Sequence, residues 1–160
     1  HLVNGKLECK VIGGGRPTGI CGSGLIDIIA CLLDAGVIDE SGKLLENPRV
    51  VQIDENTKKA YLLADPLESG DGKPVYLSQK DIREVQLAKG AIAAGIALLA
   101  EQMGITLEQV EQVYIAGAFG NYMDPAGACR IGMLPGILKD RIIPVGNAAG
   151  EGAKLSLIHI

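Results

Sequence analysis

Two glycine-rich turns carry the residues whose types and spacing best suit ligand chemistry. Gly22-Ser23-Gly24 precedes one apolar run, and Gly117-Ala118-Phe119-Gly120, with Asn121 next to it, follows another. A glycine turn that enters a helix presents unsatisfied backbone amides and the positive end of the helix dipole to phosphate or ribose oxygens. Both turns are therefore candidate nucleotide sites, and the loop at Asn147 is a third.

Neither turn has the spacing of a specific nucleotide motif. The sequence contains no GxxxxGK[ST] loop, and no GxGxxG fingerprint stands at a strand-to-helix turn. Tight packing of a strand against a helix also selects glycine, so a single turn leaves ligand binding and packing open. Three such turns in one chain favour ligand binding.

Lys89 and Gln86 are two further candidates, one turn apart on a long predicted helix. Lys89 interrupts the apolar face of that helix, where an unpaired buried ammonium would be costly. Its stem can lie along the face with the ammonium in solvent, or the ammonium can contact a ligand. The pattern alone favours solvent and leaves the ligand alternative open.

The four cysteines do not have the spacing of a metal site. Cys9, Cys21, Cys31 and Cys129 include no CxxC pair and no ferredoxin pattern. We therefore predict that the chain binds no zinc and no iron-sulfur cluster. The scattered thiols and the lack of a signal-peptide pattern favour a reducing cytoplasm.

Composition predicts one soluble α/β domain. Of the 160 residues 48% are hydrophobic and 21% charged, and glycine is abundant while aromatic residues are few. The net charge of -4 has no clustered Lys and Arg, which argues against a nucleic-acid partner. The longest apolar run, Ala91 to Ala100, is too short to span a membrane.

Periodicity and turn signals place the candidate residues on secondary-structure elements. Ser78 and Asp81 form a capping box for a long helix that ends at Gly104 and carries an apolar stripe. Three strand-glycine-helix junctions predict loops gathered at the carboxyl ends of the strands, where open α/β sheets bind ligands. The remaining predicted elements are strands at Lys6–Ile12, Val50–Ile53, Ala60–Ala64, Val113–Ala116 and Ile142–Val145, and helices at Leu25–Ala35, Thr106–Gln109 and Asp124–Ile131 and after Gly146.

Several motifs, in order along the chain, resemble the reductive activators of corrinoid enzymes. They cover almost all of the chain as far as Lys154. The motifs are GICGSGLID (Gly19–Asp27), SQKDIREVQLAKGAI (Ser78–Ile92), YIAGAFGNYMDP (Tyr114–Pro125), IGMLP (Ile131–Pro135) and VGNAAGEGA (Val145–Ala153).

The resemblance implies a ribonuclease H-like subdomain of the actin-like ATPase (ASKHA) fold. Residues 1–154 would be the C-terminal portion of the ATPase domain, with a short hairpin insertion at about 37–77. The family's DxGTNGE-like phosphate segment is absent, so we expect the domain to be incomplete on its N-terminal side. The intact parent would then bind ATP with Mg²⁺ and carry a [2Fe-2S] cluster in a missing N-terminal domain.

In that family ATP drives the return of Co(II) corrinoid proteins to Co(I). The resemblance therefore implies a corrinoid protein of a methyl-transfer system as partner, an ATPase parent and an inactive isolated fragment, and it leaves a homodimer open. Tyr114 to Gly120 resembles the family's adenosine motif, with Asn147 on the facing loop. Gln86 and Lys89 resemble the polar pair with which heat-shock chaperones contact adenosine, although Gly90 replaces the chaperones' adjacent Arg.

Two alternatives remain: a small-molecule kinase of the same superfamily, and a non-catalytic interaction domain whose glycines serve packing. The final residues raise a separate question. Leu155 to Ile160 is also the translation of a transposase adapter used in sequencing libraries, so we expect 155–160 to be a non-native tail.

Overall fold

The structure is a computed structural model that describes residues 2–3, 6–53, 59–117, 120 and 122–158. The chain divides into two compact units, His1–Ala88 and Lys89–Ile160. The boundary falls within the long helix α2, Gln79–Met103, so each unit contains part of that helix.

The described residues of the first unit form two small antiparallel sheets and one complete helix. Strands β1 (Leu2–Val3) and β2 (Lys6–Leu7) pair with each other. Helix α1 is Gly22–Asp34, and Gly36 adopts a left-handed conformation (φ 66°) just after its end. The second sheet has the order β3-β4-β5, with β3 at Val50–Val51, β4 at Ala60–Ala64 and β5 at Val75–Ser78.

The predicted hairpin and the first helix are confirmed, but strands β1, β2 and β5 differ from expectation. Strand β1 was not predicted. The strand expected at Lys6–Ile12 is limited to Lys6–Leu7. Strand β5 has no counterpart among the predicted elements, because it has only four residues between a glycine-rich loop and α2. Such a short segment shows too little alternation to be recognised without its partner strand.

Most of the buried side chains of the first unit come from helix α1 and from the paired strands β4 and β5. Leu32 of α1 and Ile82 of α2 are almost completely buried. Leu44, Tyr61 and Leu77 are buried to the same extent, and all three belong to the segment 37–77 that was predicted as an insertion. This segment therefore supplies part of the first unit's core.

The start of α2 shows why the chain forms a helix there. The Ser78 backbone N–H and hydroxyl both donate to Asp81 Oδ2, and the Asp81 N–H donates to Ser78 Oγ. This capping box satisfies amides that have no partner within the helix. The helix ends before Gly104, whose φ is 63°. The predicted long helix and its cap are confirmed.

The second unit is built around a parallel strand pair. Strands β6 (Val113–Ala116) and β7 (Ile142–Gly146) run side by side, with Val113 opposite Ile142. The other elements are a 3-10 helix at Leu107–Gln109, helix α3 at Pro125–Arg130, a 3-10 helix at Gly136–Arg141 and helix α4 at Ala148–Ile158. All except the second 3-10 helix were predicted. The brief helix expected at Thr106–Gln109 is the 3-10 helix Leu107–Gln109, with Thr106 as its N-cap.

The apolar stripe on α2 is buried only where the helix begins. Ile82 and Val85 are buried, whereas Ile92, Leu99 and Met103 are exposed by 42%, 65% and 70%. Helical periodicity shows which residues share a face but not whether this chain covers the face. In the described residues, no helix combines the length and apolarity required to cross a membrane.

Candidate functional site

The parallel pairing of β6 and β7 places two of the three glycine turns next to each other. Ala116 is opposite Gly146 in the register, and the Gly117 N–H donates to the Gly146 carbonyl oxygen at 2.6 Å. Gly117 (φ 95°) and Gly146 (φ 65°) both adopt left-handed conformations that favour glycine. The two turns therefore adjoin at the carboxyl ends of parallel strands, where α/β sheets bind ligands.

The two described glycines of the turn after β6, Gly117 and Gly120, have different surroundings. Among the described residues, a Cβ atom at Gly117 would meet nothing within 4 Å. A Cβ atom at Gly120 would lie 2.9 Å from the Ile115 carbonyl oxygen, too close for a side chain. Gly120 thus fits the packing explanation, whereas Gly117 leaves open space beside the backbone. The other residues predicted in this turn, Ala118, Phe119 and Asn121, lie outside the described residues.

Asn147 has a structural role at the facing loop. Its Oδ1 accepts a hydrogen bond from the Gly150 N–H at 3.1 Å, which caps the start of α4. A Cβ atom at Gly150 would lie 2.6 Å from Asn147 Nδ2, so glycine at that position makes room for the amide. The cap holds the exposed Asn147 side chain in one orientation and does not use its Nδ2 hydrogens.

The ammonium of Lys89 has a partner inside the second unit. Lys89 Nζ donates to the Ile131 carbonyl oxygen at 2.5 Å, and the side chain is partly buried. Ile131 is the C-cap residue of α3. The Lys89 side chain therefore meets a carbonyl at the negative end of a short helix, an arrangement that favours a cation.

Gln86 lies in the first unit, where it contacts a turn between α1 and β3. Its Nε2 donates to the Ser41 carbonyl oxygen at 2.9 Å, and its amide lies against Gly42, which has a φ of 80°. Gln79, two turns earlier, donates to the Gly42 carbonyl and accepts from the Leu44 N–H. The two glutamines together hold this turn against α2.

The glycine turn at Gly22-Ser23-Gly24 forms the first turn of α1. It does not follow a strand of the parallel pair, because the preceding strand β2 belongs to a separate antiparallel sheet. The expectation of three equivalent junctions is therefore wrong for this one. The error arose because a strand signal does not show which strand it pairs with.

Cys21 is the N-cap of α1, a role that its residue type did not indicate. Its Sγ accepts from the Gly24 N–H at 3.4 Å and lies 3.3 Å from the hydroxyl of the buried Ser23. Two hydrogen bonds lower the pKa of the exposed Cys21 thiol: the one with the Ser23 hydroxyl has the larger effect, and the one from the Gly24 N–H has the smaller. By contrast, burial raises the pKa of the partly buried Cys129 thiol.

The cavities differ in chemistry from the glycine turns. A cavity of about 190 Å³ in the second unit is lined only by apolar residues, among them Ile96, Leu134 and Ile142. It offers no polar group to orient a nucleotide. A more open cavity of about 320 Å³ in the first unit lies beside Thr18–Ile20 and Asp81. Within the described part of the chain, no three His, Cys, Asp or Glu side chains are close enough to hold a metal ion.

Comparison with known proteins gives consistent matches. The family described as the C-terminal domain of RACo, the ASKHA domain, matches residues 2–160. The corrinoid activation enzyme RamQ of Eubacterium limosum is 40% identical over 97% of this chain and 28% of its own length. A [Co(II) methylated amine-specific corrinoid protein] reductase of Methanosarcina barkeri is 31% identical over 90% of this chain and 23% of its own length.

A solved structure of a reductive activator for corrinoid, iron-sulfur protein matches with a TM-score of 0.85 and 38% identity. The match covers 92% of this chain and 24% of that structure. The predicted α/β fold of the actin-like ATPase type is confirmed. The chain spans about a quarter of the length of each of these relatives.

Proposed function

Because this chain belongs to the family of the C-terminal ASKHA domain of RACo, we propose that it is the nucleotide-binding part of an ATP-dependent reductive activator. The whole protein would return Co(II) corrinoid proteins to Co(I). Support comes from the relatives, which are described as a corrinoid activation enzyme, a reductase of a corrinoid protein and a reductive activator.

The adjoining turns at Gly117 and Gly146 are the observation that carries the nucleotide part of this proposal. They combine left-handed backbone, the end of a parallel strand pair and open space beside Gly117. A ligand could approach this backbone closely, because glycine has no side chain and no other described residue lies beside the Cβ position of Gly117. The geometry therefore fits a ribose or phosphate at these turns, and the apolar cavity of the same unit does not.

Each proposed site residue has a distinct contribution. The Gly117 to Gly120 turn, with Ala118, Phe119 and Asn121, would contact the nucleoside by its backbone. Asn147 would donate from Nδ2, and Lys89 would donate from its ammonium. Gln86, which lies in the first unit, is proposed as an adenosine contact only because its spacing from Lys89 resembles that of the chaperones' polar pair. In the turn Gly22-Ser23-Gly24, the Gly22 and Ser23 amides would favour an anion because they open the 13-residue helix α1, whereas the Gly24 N–H already donates to Cys21 Sγ.

The remaining parts of the activity would lie outside this chain. We propose that residues 1–154 are a C-terminal portion of the ATPase domain, and that Mg²⁺ and the γ-phosphate are held by a preceding segment. The cysteines here do not suit a [2Fe-2S] cluster, since two are exposed, two are partly buried and none belongs to a cluster of three ligands in the described residues. The cluster, the corrinoid partner and a cytoplasmic location belong to the proposed parent protein.

The test requires the full-length protein together with a corrinoid protein held as Co(II). Absorption spectra would follow the formation of Co(I) with an electron donor present, with and without ATP. We expect Co(I) formation to depend on ATP and to be suppressed by Gly117→Val. The control Gly104→Ala, which changes another left-handed glycine of the second unit, should leave Co(I) formation intact. The proposal would be contradicted if the rate of Co(I) formation were the same with and without ATP and in the Gly117→Val variant.

The same preparation separates the two alternatives. A superfamily kinase would consume ATP with phosphate transfer to a small hydroxyl or carboxylate compound and would leave the cobalt spectrum unchanged. A non-catalytic interaction domain would show no nucleotide binding in calorimetry. The isolated chain should release no phosphate from ATP, because in this proposal the phosphate-binding segment belongs to another part of the parent protein.

A further inference from the structure

The motif Ile131–Pro135 has no role in the nucleotide site described so far, yet it contacts one of the proposed site residues. Helix α3 ends with two hydrogen bonds that turn the chain back: the Met133 N–H donates to the Ala128 carbonyl at 2.9 Å, and the Gly132 N–H donates to the Cys129 carbonyl at 2.9 Å. This arrangement, with glycine in a left-handed conformation after the C-cap, is a Schellman motif. Gly132 has the φ of 76° that the motif requires.

The Schellman turn presents the Ile131 carbonyl to Lys89. Lys89 Nζ donates to that oxygen at 2.5 Å, and a Cβ atom on Gly132 would lie 3.8 Å from Nζ. The partly buried ammonium is therefore held at one point by the turn. A lysine ammonium has three N–H donors, so one bond to Ile131 leaves donors for a second partner.

We propose that the Ile131–Gly132 turn positions the Lys89 ammonium for contact with bound nucleotide, so that the IGMLP motif is a part of the nucleotide site. This inference rests on the proposed function of Lys89. A four-carbon side chain loses conformational entropy when it is ordered. Because Ile131 already restricts Lys89 before nucleotide arrives, less of that entropy is lost on binding, which raises affinity.

The test is a double-mutant cycle on nucleotide affinity in the full-length protein. Lys89→Ala should weaken binding by about 10- to 100-fold, the range expected for a lost charge-assisted hydrogen bond. Gly132→Ala adds no clash but strains the left-handed turn, and it should weaken binding by about fivefold. The double variant should bind no more weakly than Lys89→Ala alone, since the turn acts through Lys89.

Two further variants separate positioning from general destabilisation. Gly104→Ala introduces the same strain at a left-handed glycine whose Cβ position has no atom of the described residues within 4 Å. It should leave affinity unchanged. Gly132→Asn should retain more affinity than Gly132→Ala, because Asn tolerates the left-handed region better. Unfolding midpoints of all variants would be measured alongside.

The outcomes distinguish the two levels of the proposal. Wild-type affinity in Lys89→Ala would refute both the Lys89 contact and its positioning, without bearing on the rest of the nucleotide site. If Lys89→Ala binds weakly but Gly132→Ala binds normally, the positioning role is refuted and the contact stands. Independent, multiplying effects in the double variant would also refute positioning, as would a loss in Gly104→Ala equal to that in Gly132→Ala.

Discussion

Gly117 and Gly120 stand three residues apart in one motif, and the structure gives each a different reason to be glycine. A methyl group at Gly117 would meet no atom of the described residues within 4 Å, and the backbone there has a φ of 95°. A methyl group at Gly120 would lie 2.9 Å from the carbonyl oxygen and 3.2 Å from the carbonyl carbon of Ile115. We therefore predict that Gly117→Ala mainly weakens nucleotide binding, whereas Gly120→Ala mainly destabilises the fold.

The expected sizes follow from these surroundings. The left-handed conformation costs a non-glycine residue about 1 to 2 kcal/mol, and alanine recovers part of this because it reduces the freedom of the unfolded chain. Gly117→Ala should thus cost about 1 kcal/mol of stability. Gly120→Ala forces strand backbone to move, which should cost about 2 to 3 kcal/mol. For a domain of this size, each 1 kcal/mol lowers Tm by about 2 to 4 °C.

Thermal unfolding of the 160-residue chain, followed by circular dichroism, would measure the stability of both variants. Calorimetric titration of the full-length protein would measure nucleotide affinity, which Gly117→Ala should reduce by about tenfold because the methyl group blocks close approach to the backbone. The reasoning is refuted if Gly120→Ala unfolds at the wild-type Tm. It is equally refuted if folded Gly117→Ala binds nucleotide as tightly as the wild type.

Three smaller predictions concern other parts of the chain. The hydroxyl of Tyr61 is buried with no hydrogen-bond partner in the described residues, so Tyr61→Phe should raise Tm by about 2 to 4 °C, and a lower Tm would show that the hydroxyl is satisfied. Iodoacetamide should modify Cys21 faster than Cys129 near neutral pH, because a lowered pKa increases the thiolate fraction. Mass spectrometry over about pH 6 to 9 would measure both rates, and the rate at Cys21 should fall in Ser23→Ala. Equal rates at Cys21 and Cys129 would contradict the lowered pKa of Cys21. We propose that Leu155–Ile160 is a non-native tail, and the helix in which it begins has no buried residue. Deleting this tail should leave the unfolding midpoint of the chain unchanged.

The elements with strong local signals were predictable from the sequence. Helix α2 has a capping box at Ser78 and Asp81 and a glycine after its last residue, and both features act within a few residues of the chain. The strands β6 and β7 are apolar runs that end just before or at a glycine, so their existence and their approximate ends could be expected. Each of these signals is complete without knowledge of a distant partner.

The features that depend on distant partners were not predictable. Strand β5 is defined by its pairing with β4, and Val75–Ser78 alone is too short to show alternation. The junction before Gly22 looked equivalent to the others, although β2 pairs with β1 in a separate sheet. For the same reason, the spacing of Ile92, Leu99 and Met103 did not reveal that these side chains are exposed in this chain.

The candidate site residues Asn147 and Lys89 each bond to another part of the chain, but this does not exclude contact with a ligand. Each side chain has enough donors for an internal hydrogen bond and a ligand. Asn147 caps α4 through Oδ1 and does not spend its two Nδ2 hydrogens on that cap. Lys89 uses one of three ammonium donors on Ile131. Gly120 differs, since the space beside it is filled by Ile115. A side chain fixed by one bond and retaining further donors is better prepared for a ligand than a freely rotating one, which is why the capped Asn147 and the held Lys89 remain the stronger candidates.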